Sequence, residues 1–183
     1  MAKLVSKVYG DALFELAIEQ DKLESVRDEV RSVSQALKDN PDFLPTLMHP
    51  DMTMEKKQDM VKTVFSSASD DVMGLIDVMI RKNRIGELGK VMDYFEMRAK
   101  ERLKVGVVMV STPIQLSDED KKKVEKRVLE VTDFASLEMK YIVDPALLGG
   151  MVIRIGDQVL DNSIRSKLDA MGRQLAAVRL GGV

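Results

Sequence analysis

The chain has no cysteine and no tryptophan, a single histidine, and only 4% aromatic residues. The absence of cysteine excludes disulfide bonds and thiolate metal sites, and it is compatible with a reducing compartment. The one histidine, His49, stands directly before Pro50 without triad partners or metal ligands nearby in the sequence, so we interpret it as a loop residue. We therefore expect no catalytic residues, no cofactor and no metal, and a protein that is not an enzyme.

Long apolar runs and an excess of one charge are also missing. No stretch approaches the roughly 20 apolar residues that span a bilayer, and the N-terminus carries no apolar run framed like a signal peptide. The formal net charge is −2, with 17 basic and 19 acidic side chains in residues 1–104 and 11 of each in residues 105–183. Neither half has the basic excess typical of a surface that binds nucleic acid or an anionic membrane.

What the sequence does contain is enough apolar material for one or two folded domains. Apolar residues make up 45% of the 183 residues, and 13 of them are methionine. Since aromatics are so few, we expect cores built mainly from aliphatic side chains and methionine, which pack adaptably.

Residues 1–104 carry the pattern of six short helices with short connections, which favours an antiparallel six-helix bundle. The first helix is predicted over residues 3–20, with Phe14 and Ile18 lying off its main face and indicating contact on a second side. That main apolar face comprises Val5, Val8, Tyr9, Ala12, Leu13 and Leu16.

The fifth predicted helix is apolar nearly all round. It begins at Ser69, with Asp70 and Asp71 near its positive end, and seven of the nine residues from 72 to 80 are apolar. Val78 points away from the main stripe, so the helix is either the central helix of the bundle or has a second face for a partner helix. The main stripe comprises Val72, Leu75, Ile76 and Met79.

The pattern changes to strands after residue 104. Residues 105–110 and 137–143 are predicted strands, with Tyr141 facing inward, and Ser117 begins an amphipathic helix between them. Residues 151–155 and 158–160 are predicted to form a hairpin around Gly156-Asp157. The order is β-α-β-β-β-α, which predicts an α+β domain with a small mixed sheet over residues 105–183, after a helical domain over residues 1–104.

A capped helix is expected to end this second domain. Asn162 or Ser163 is the predicted cap, and residues 179–183 are expected to fray. The apolar stripe of this helix comprises Ile164, Leu168, Met171 and Leu175.

The same C-terminal stretch resembles a known signature, that of the delta subunit of the F-type ATP synthase, called the oligomycin-sensitivity-conferring protein in mitochondria. The family usually has glycine before the serine, where this chain has Asn162, and asparagine also tolerates left-handed backbone. Residues 6–17 are similar to the family's first helix. The matching residues are Gly149, Gly150, Ile153, Ile155, Gly156, Asp157, Val159, Asp161, Ser163, Ile164, Arg165 and Leu168.

The resemblance covers nearly the whole chain and implies a function. In this family the subunit is a non-catalytic part of the stator (peripheral stalk), which resists rotor torque in a proton-translocating complex. Its helical domain holds the N-terminal helix of an alpha subunit, and its C-terminal domain holds the C-terminal end of the b stalk. The implied location is the cytoplasmic face of a bacterial plasma membrane, with membrane association only through the complex.

The resemblance also implies where the alpha helix docks, between the first and fifth helices. Tyr9 and Val78 match positions in that region. Ala12, Leu13, Leu75 and Met79 are expected to be their neighbours or part of the core. The expected partner-binding residues are Tyr9, Ala12, Leu13, Leu75, Val78 and Met79.

Two alternative functions follow from the residues alone. The chain could be a two-domain adaptor with an apolar helical docking face. It could also be a nucleic-acid-binding module, because small β-α-β domains of this kind often bind RNA by stacking bases on strand aromatics. The inward position expected for Tyr141 and the lack of a basic excess speak against the second.

Overall fold

The computed structural model describes residues 2–66 and 68–171, and the chain divides into two compact units, with the change after Arg102. The first unit is helical and the second contains a four-stranded mixed sheet. This confirms the α+β class, with a helix-rich N-terminal region before a small sheet domain. Independent folding of residues 1–104 and 105–183 stays a prediction.

The described part of the first unit contains six α-helices, but one of them is very short. The third helix has only five residues and is followed by a loop, so the arrangement as an antiparallel six-helix bundle stays a prediction. The helices are α1 (Ala2–Glu19), α2 (Leu23–Asp39), α3 (Phe43–Leu47), α4 (Met54–Val64), α5 (Asp70–Arg81) and α6 (Leu88–Arg102), with a 3₁₀ turn at Ile85–Glu87 before α6.

One aliphatic and methionine-rich core holds this unit together. Helix α6 packs against both α1 and α2, while α5 packs against α1 and α4. Phe14 meets the edge of Phe95, and Phe43 meets Phe65 in the same way, in the geometry that aromatic pairs prefer. The fully buried side chains include Val30, Leu47, Val72, Ile76, Met79, Leu88, Val91, Met92 and Phe95.

The second unit contains four strands, β1 (Val105–Thr112), β2 (Ser136–Val143), β3 (Val152–Ile155) and β4 (Gln158–Asp161). They form a mixed sheet in the order β2-β1-β3-β4. Strands β1 and β2 are parallel and are joined by a helical crossover, the kind of connection that parallel strands need, and the other two pairings are antiparallel. The Ser117 hydroxyl accepts a hydrogen bond from the Asp120 N–H at 3.2 Å and caps the crossover helix. This crossover helix is α7 (Asp118–Val131).

The helix α7 packs against one face of this sheet. Val108 and Val110 alternate with exposed neighbours along β1 and form a small core with Val128 of α7. Tyr141 of β2 packs against the same core, as its alternation with polar residues predicted.

The predicted hairpin is confirmed, with β3 and β4 joined by a tight turn at Gly156, whose φ is +57°. Residues 164–171 are helical, and the cap is Ser163, whose hydroxyl accepts from the Ser166 N–H at 3.2 Å. Of the sequence predictions for this region, Leu175 and residues 179–183 lie outside the described residues.

The backbone at the glycine pair before β3, Gly149 and Gly150, is hydrogen-bonded to the start of the helical residues 164–171. The Gly149 carbonyl accepts from the Ile164 N–H at 3.0 Å, and the Met151 carbonyl accepts from the Asn162 N–H at 3.0 Å. Gly150 has a φ of +77°, and a Cβ there would collide with the carbonyl oxygen of Asn162. The close backbone approach therefore requires glycine at this position.

A fragment of residues 1–104 should fold without the rest of the chain. The core of the first unit is built entirely from residues of that unit, which is the property of a domain that folds alone. We expect strongly helical circular dichroism and a cooperative thermal melt. A helical fragment that melts without cooperativity would contradict this expectation.

Gly150→Val should destabilise the second unit by about 3 kcal/mol or more, because it combines a left-handed φ with a collision against backbone. The matched control is Gly156→Ala, which has a similar positive φ but no atom within 4 Å of the added Cβ, so we expect a cost of only about 1–2 kcal/mol. Urea unfolding of the full chain, followed by circular dichroism, measures both. Equal costs would show that the approach of Asn162 does not matter.

The Asp161 carboxylate should make the stability of the second unit depend on pH. Hydrogen bonds from the Ser166 hydroxyl and from the Ser163 N–H lower the pKa of Asp161. The stability that they contribute is therefore present above the unfolded pKa of about 4 and is lost as the pH falls through the folded pKa.

We expect the urea midpoint to fall with acidification, and to fall less steeply in Asp161→Asn. The pKa values of Asp118 and Asp120 are also lowered, by hydrogen bonds from Lys121 and from Ser117 respectively, so part of the slope should remain in the variant. Identical slopes in the two proteins would show that Asp161 contributes nothing.

Candidate functional site

An open groove of about 480 Å³ lies between α1 and α5. We call it the α1–α5 groove. Its walls are mainly apolar, and two carboxylates stand at the end where α5 begins. The lining residues are Val8, Tyr9, Ala12, Leu13 and Leu16 of α1 and Asp70, Asp71, Gly74, Leu75 and Val78 of α5.

The groove brings together most of the partner-binding residues expected from the sequence. Val78 is 44% exposed on the groove wall, Tyr9 and Leu75 are half-buried, and Leu13 reaches from the groove into the core. Met79 is the exception, because it is fully buried in the helical core and does not line the groove. One residue turns an α-helix by about 100°, so Met79 and Val78 face different surroundings.

Helix α1 presents two apolar surfaces, and the contact that the sequence indicated on the side of Phe14 is confirmed. Phe14, expected off the main face, is only 6% exposed and belongs to the core, whereas Val8, expected on that face, is 58% exposed at the groove. The physical reason is that α6 offers Phe95 as a partner for Phe14. The predicted apolar face is thus divided between the core and the groove.

A polar cluster joins α1 to α6. The Asp11 carboxylate accepts from the Tyr94 hydroxyl at 3.0 Å and from Arg98 Nη1 at 2.9 Å. The Arg98 guanidinium also lies 4.8 Å from the centroid of the Phe14 ring. The hydrogen bond with Tyr94 and the charge of Asp11 raise the pKa of Arg98.

Helix α5 is held by its first turn. The Ser69 N–H donates to the Glu29 carboxylate of α2 at 2.9 Å, which satisfies one of the free donors at a helix start. Gln20, just after α1, donates to Asp71 at 3.4 Å. This contact joins the end of α1 to the beginning of α5, as expected for antiparallel neighbours.

Sequence reasoning did not assign five of the lining residues to the site: Val8, Leu16, Asp70, Asp71 and Gly74. The two aspartates were recognised only as favourable charges at a helix start. The one signal for Gly74 was a glycine inside a helix that is otherwise strongly apolar, because glycine is unfavourable there.

The part of the chain that the structure describes contains no cluster of three or more histidine, cysteine or acidic side chains that could hold a metal ion. His49 lies exposed in the loop after α3, where its Nδ1 accepts from the Asp51 N–H at 3.3 Å. Over the same described residues, no helix is both long and apolar enough to cross a membrane.

Comparison with known proteins identifies the family. Residues 5–175 match the family described as ATP synthase delta (OSCP) subunit. The chain is 38% identical over 182 residues to the ATP synthase subunit delta of Lachnoclostridium phytofermentans, covering 99% of this chain and 100% of that protein. It is 31% identical over 171 residues to the protein of the same name from Enterococcus hirae, covering 93% of this chain and 95% of that one.

A solved structure shares the fold. A chain of the Toxoplasma gondii mitochondrial ATP synthase hexamer superposes with a TM-score of 0.67 at 22% identity, covering 93% of this chain and 97% of that chain. Since the family match spans most of the chain and a relative above 30% identity covers nearly all of it, the chain belongs to the ATP synthase delta (OSCP) subunit family.

Proposed function

We propose that this chain is a non-catalytic stator subunit of an ATP synthase. Its α1–α5 groove holds the N-terminal helix of the alpha subunit, and its second unit holds the C-terminal end of the b stalk. The observation that carries the proposal is an open apolar groove between two helices, in a chain of the delta family. The subunit resists rotor torque and does no chemistry itself.

The α1–α5 groove suits an amphipathic helix. Such a helix lays its apolar face into an apolar channel and anchors it with residues at spacings of three and four. The burial contributes about 25 cal/mol per Å² of apolar surface before the costs of association. Tyr9 adds a large rigid ring with a hydroxyl that can stay at the wet rim.

The second joint rests on the second unit. Ile164, Leu168 and Met171 are all exposed on the helical residues 164–171, at spacings that make one apolar stripe. Backbone hydrogen bonds that the Gly149 and Met151 carbonyls accept hold the start of this helix. An exposed apolar stripe on a helix whose start is fixed is a suitable surface for binding the end of a helical stalk.

The location follows from the partners. A subunit bound to alpha and b lies at the cytoplasmic face of a bacterial plasma membrane and is attached to it only through the complex. The two curated relatives described above are bacterial, which supports this location.

The sheet does not favour the nucleic-acid alternative. Tyr141 packs toward α7, its hydroxyl donates to the Lys121 carbonyl at 3.3 Å, and the Lys121 ammonium lies 5.7 Å from its ring centroid. A base could not stack on this ring without displacing α7. Filter binding at low salt tests this alternative, since a nucleic-acid module would show strong and salt-steep affinity.

Val78→Asp should weaken binding of the alpha helix without unfolding the protein. The change would put an unpaired carboxylate under the bound helix, at a cost of about 3–5 kcal/mol, which corresponds to a hundredfold to a few thousandfold in Kd. Because Val78 is 44% exposed in the free chain, the thermal melt should change little. Calorimetric titration with a synthetic peptide of the alpha N-terminus measures the affinity.

The matched control is Val64→Asp, since Val64 is 49% exposed on α4 and does not line the α1–α5 groove. We expect this variant to bind the peptide as the unmodified chain does. Normal binding by folded Val78→Asp would refute the proposed site. Equal loss in both variants would point to a general effect of added charge.

A pull-down with the b subunit tests the second joint. Gly150→Val should no longer bind the b subunit but should still bind the alpha peptide, because the substitution destabilises only the second unit. A variant that loses both partners equally would argue against two separable joints.

A further inference from the structure

We infer that Gly74 is a specificity-determining residue of the α1–α5 groove, whose missing side chain lets the partner helix pack close to the α5 backbone. This inference rests on the proposed function and deepens it. It concerns how near the docked helix comes and therefore which residues that helix can present.

The fold itself does not require glycine at position 74. Gly74 is exposed, and an ideal Cβ built on it meets no atom within 4 Å outside its own helix backbone. Its φ is not in the left-handed region, where Gly150 and Gly156 are found. Neither packing nor backbone conformation in the free chain therefore excludes alanine.

Glycine at this position also has a cost. It is the fifth residue of the twelve in α5, and glycine is the least favourable helix former after proline. Alanine should consequently make α5 more stable. A residue that the free fold neither needs nor benefits from is a candidate for a role in the bound state.

The position of Gly74 suggests that role. It lies one turn from Val78 and beside Leu75 on the groove wall, and Ala12 is a small exposed residue on the facing helix. The separation of packed helix axes depends on the side chains at the contact. Gly74 leaves the backbone of α5 bare, and Ala12 presents only a methyl group on α1. A third helix can therefore pack unusually close to both walls of the groove.

Gly74 also borders a second groove, between α5 and α4, but that groove is less suited to a helix. Asp77 accepts hydrogen bonds from Gln58 of α4 and from Arg81, the latter at 2.7 Å. This polar bridge crosses from one wall of the groove to the other, and a docking helix would have to break it. We therefore assign the role of Gly74 to the α1 side.

The experiment compares three full-length variants by melting and by calorimetric titration with a synthetic peptide of the alpha N-terminus. Gly74→Ala should raise the melting temperature by about 2–4 °C. It should weaken binding of the peptide about tenfold, because the added methyl group overfills a close contact. Gly74→Leu should remain folded and should bind the peptide more weakly still. The control is Gly89→Ala on α6, which also has no atom within 4 Å of its Cβ and does not line the groove. Its peptide affinity should not change.

Each outcome decides the inference. Stabilised Gly74→Ala with unchanged affinity would overturn the close-approach role while leaving the proposed function intact. A fall in its melting temperature would also overturn it, since the glycine would then serve the fold. Failure of the unmodified chain to bind the peptide would overturn the proposed function, and this inference with it.

Discussion

The attachment of α1 to α6 is the interaction on which the groove depends. Phe14 packs against α6 on one surface of α1, and the carboxylate of Asp11 binds Tyr94 and Arg98 of the same helix. A Cβ at Gly10 would come within 2.5 Å of the Tyr94 ring, so the ring lies directly on the backbone of α1. With α1 held in this way, Val8, Tyr9, Ala12 and Leu16 face the flank of α5 across the groove.

The two units present their candidate docking surfaces by different physical means. In the first unit the surface is a groove whose walls are apolar side chains on two helices, so its shape follows from core packing. In the second unit, the surface is an apolar stripe on a helix whose start is fixed by backbone hydrogen bonds that the Gly149 and Met151 carbonyls accept. A helix start fixed by backbone bonds is sensitive to glycine substitution, whereas a groove wall is sensitive to side-chain size and charge.

Much of the second unit could be predicted because its determinants are local. Each determinant sets the conformation of residues close to it in the sequence. They are the turn at Gly156, the alternation along β2, and the hydroxyl caps at Ser117 and Ser163. The choice between Asn162 and Ser163 as the cap was left open by the sequence. In the structure the cap is Ser163, because its hydroxyl accepts from the Ser166 N–H, while the Asn162 carbonyl lies against Gly150.

The sequence by itself determined the types and order of the elements, since periodicity and turn chemistry are properties of short segments. It also indicated that α1 and α5 each carry more apolar surface than one contact uses. Only the tertiary structure decided that Phe14 is core and Val8 is groove, and that Met79 is buried while Val78 stays exposed. The physical reason is that a helical pattern identifies apolar directions around one axis, whereas burial depends on which of those directions a neighbouring helix occupies.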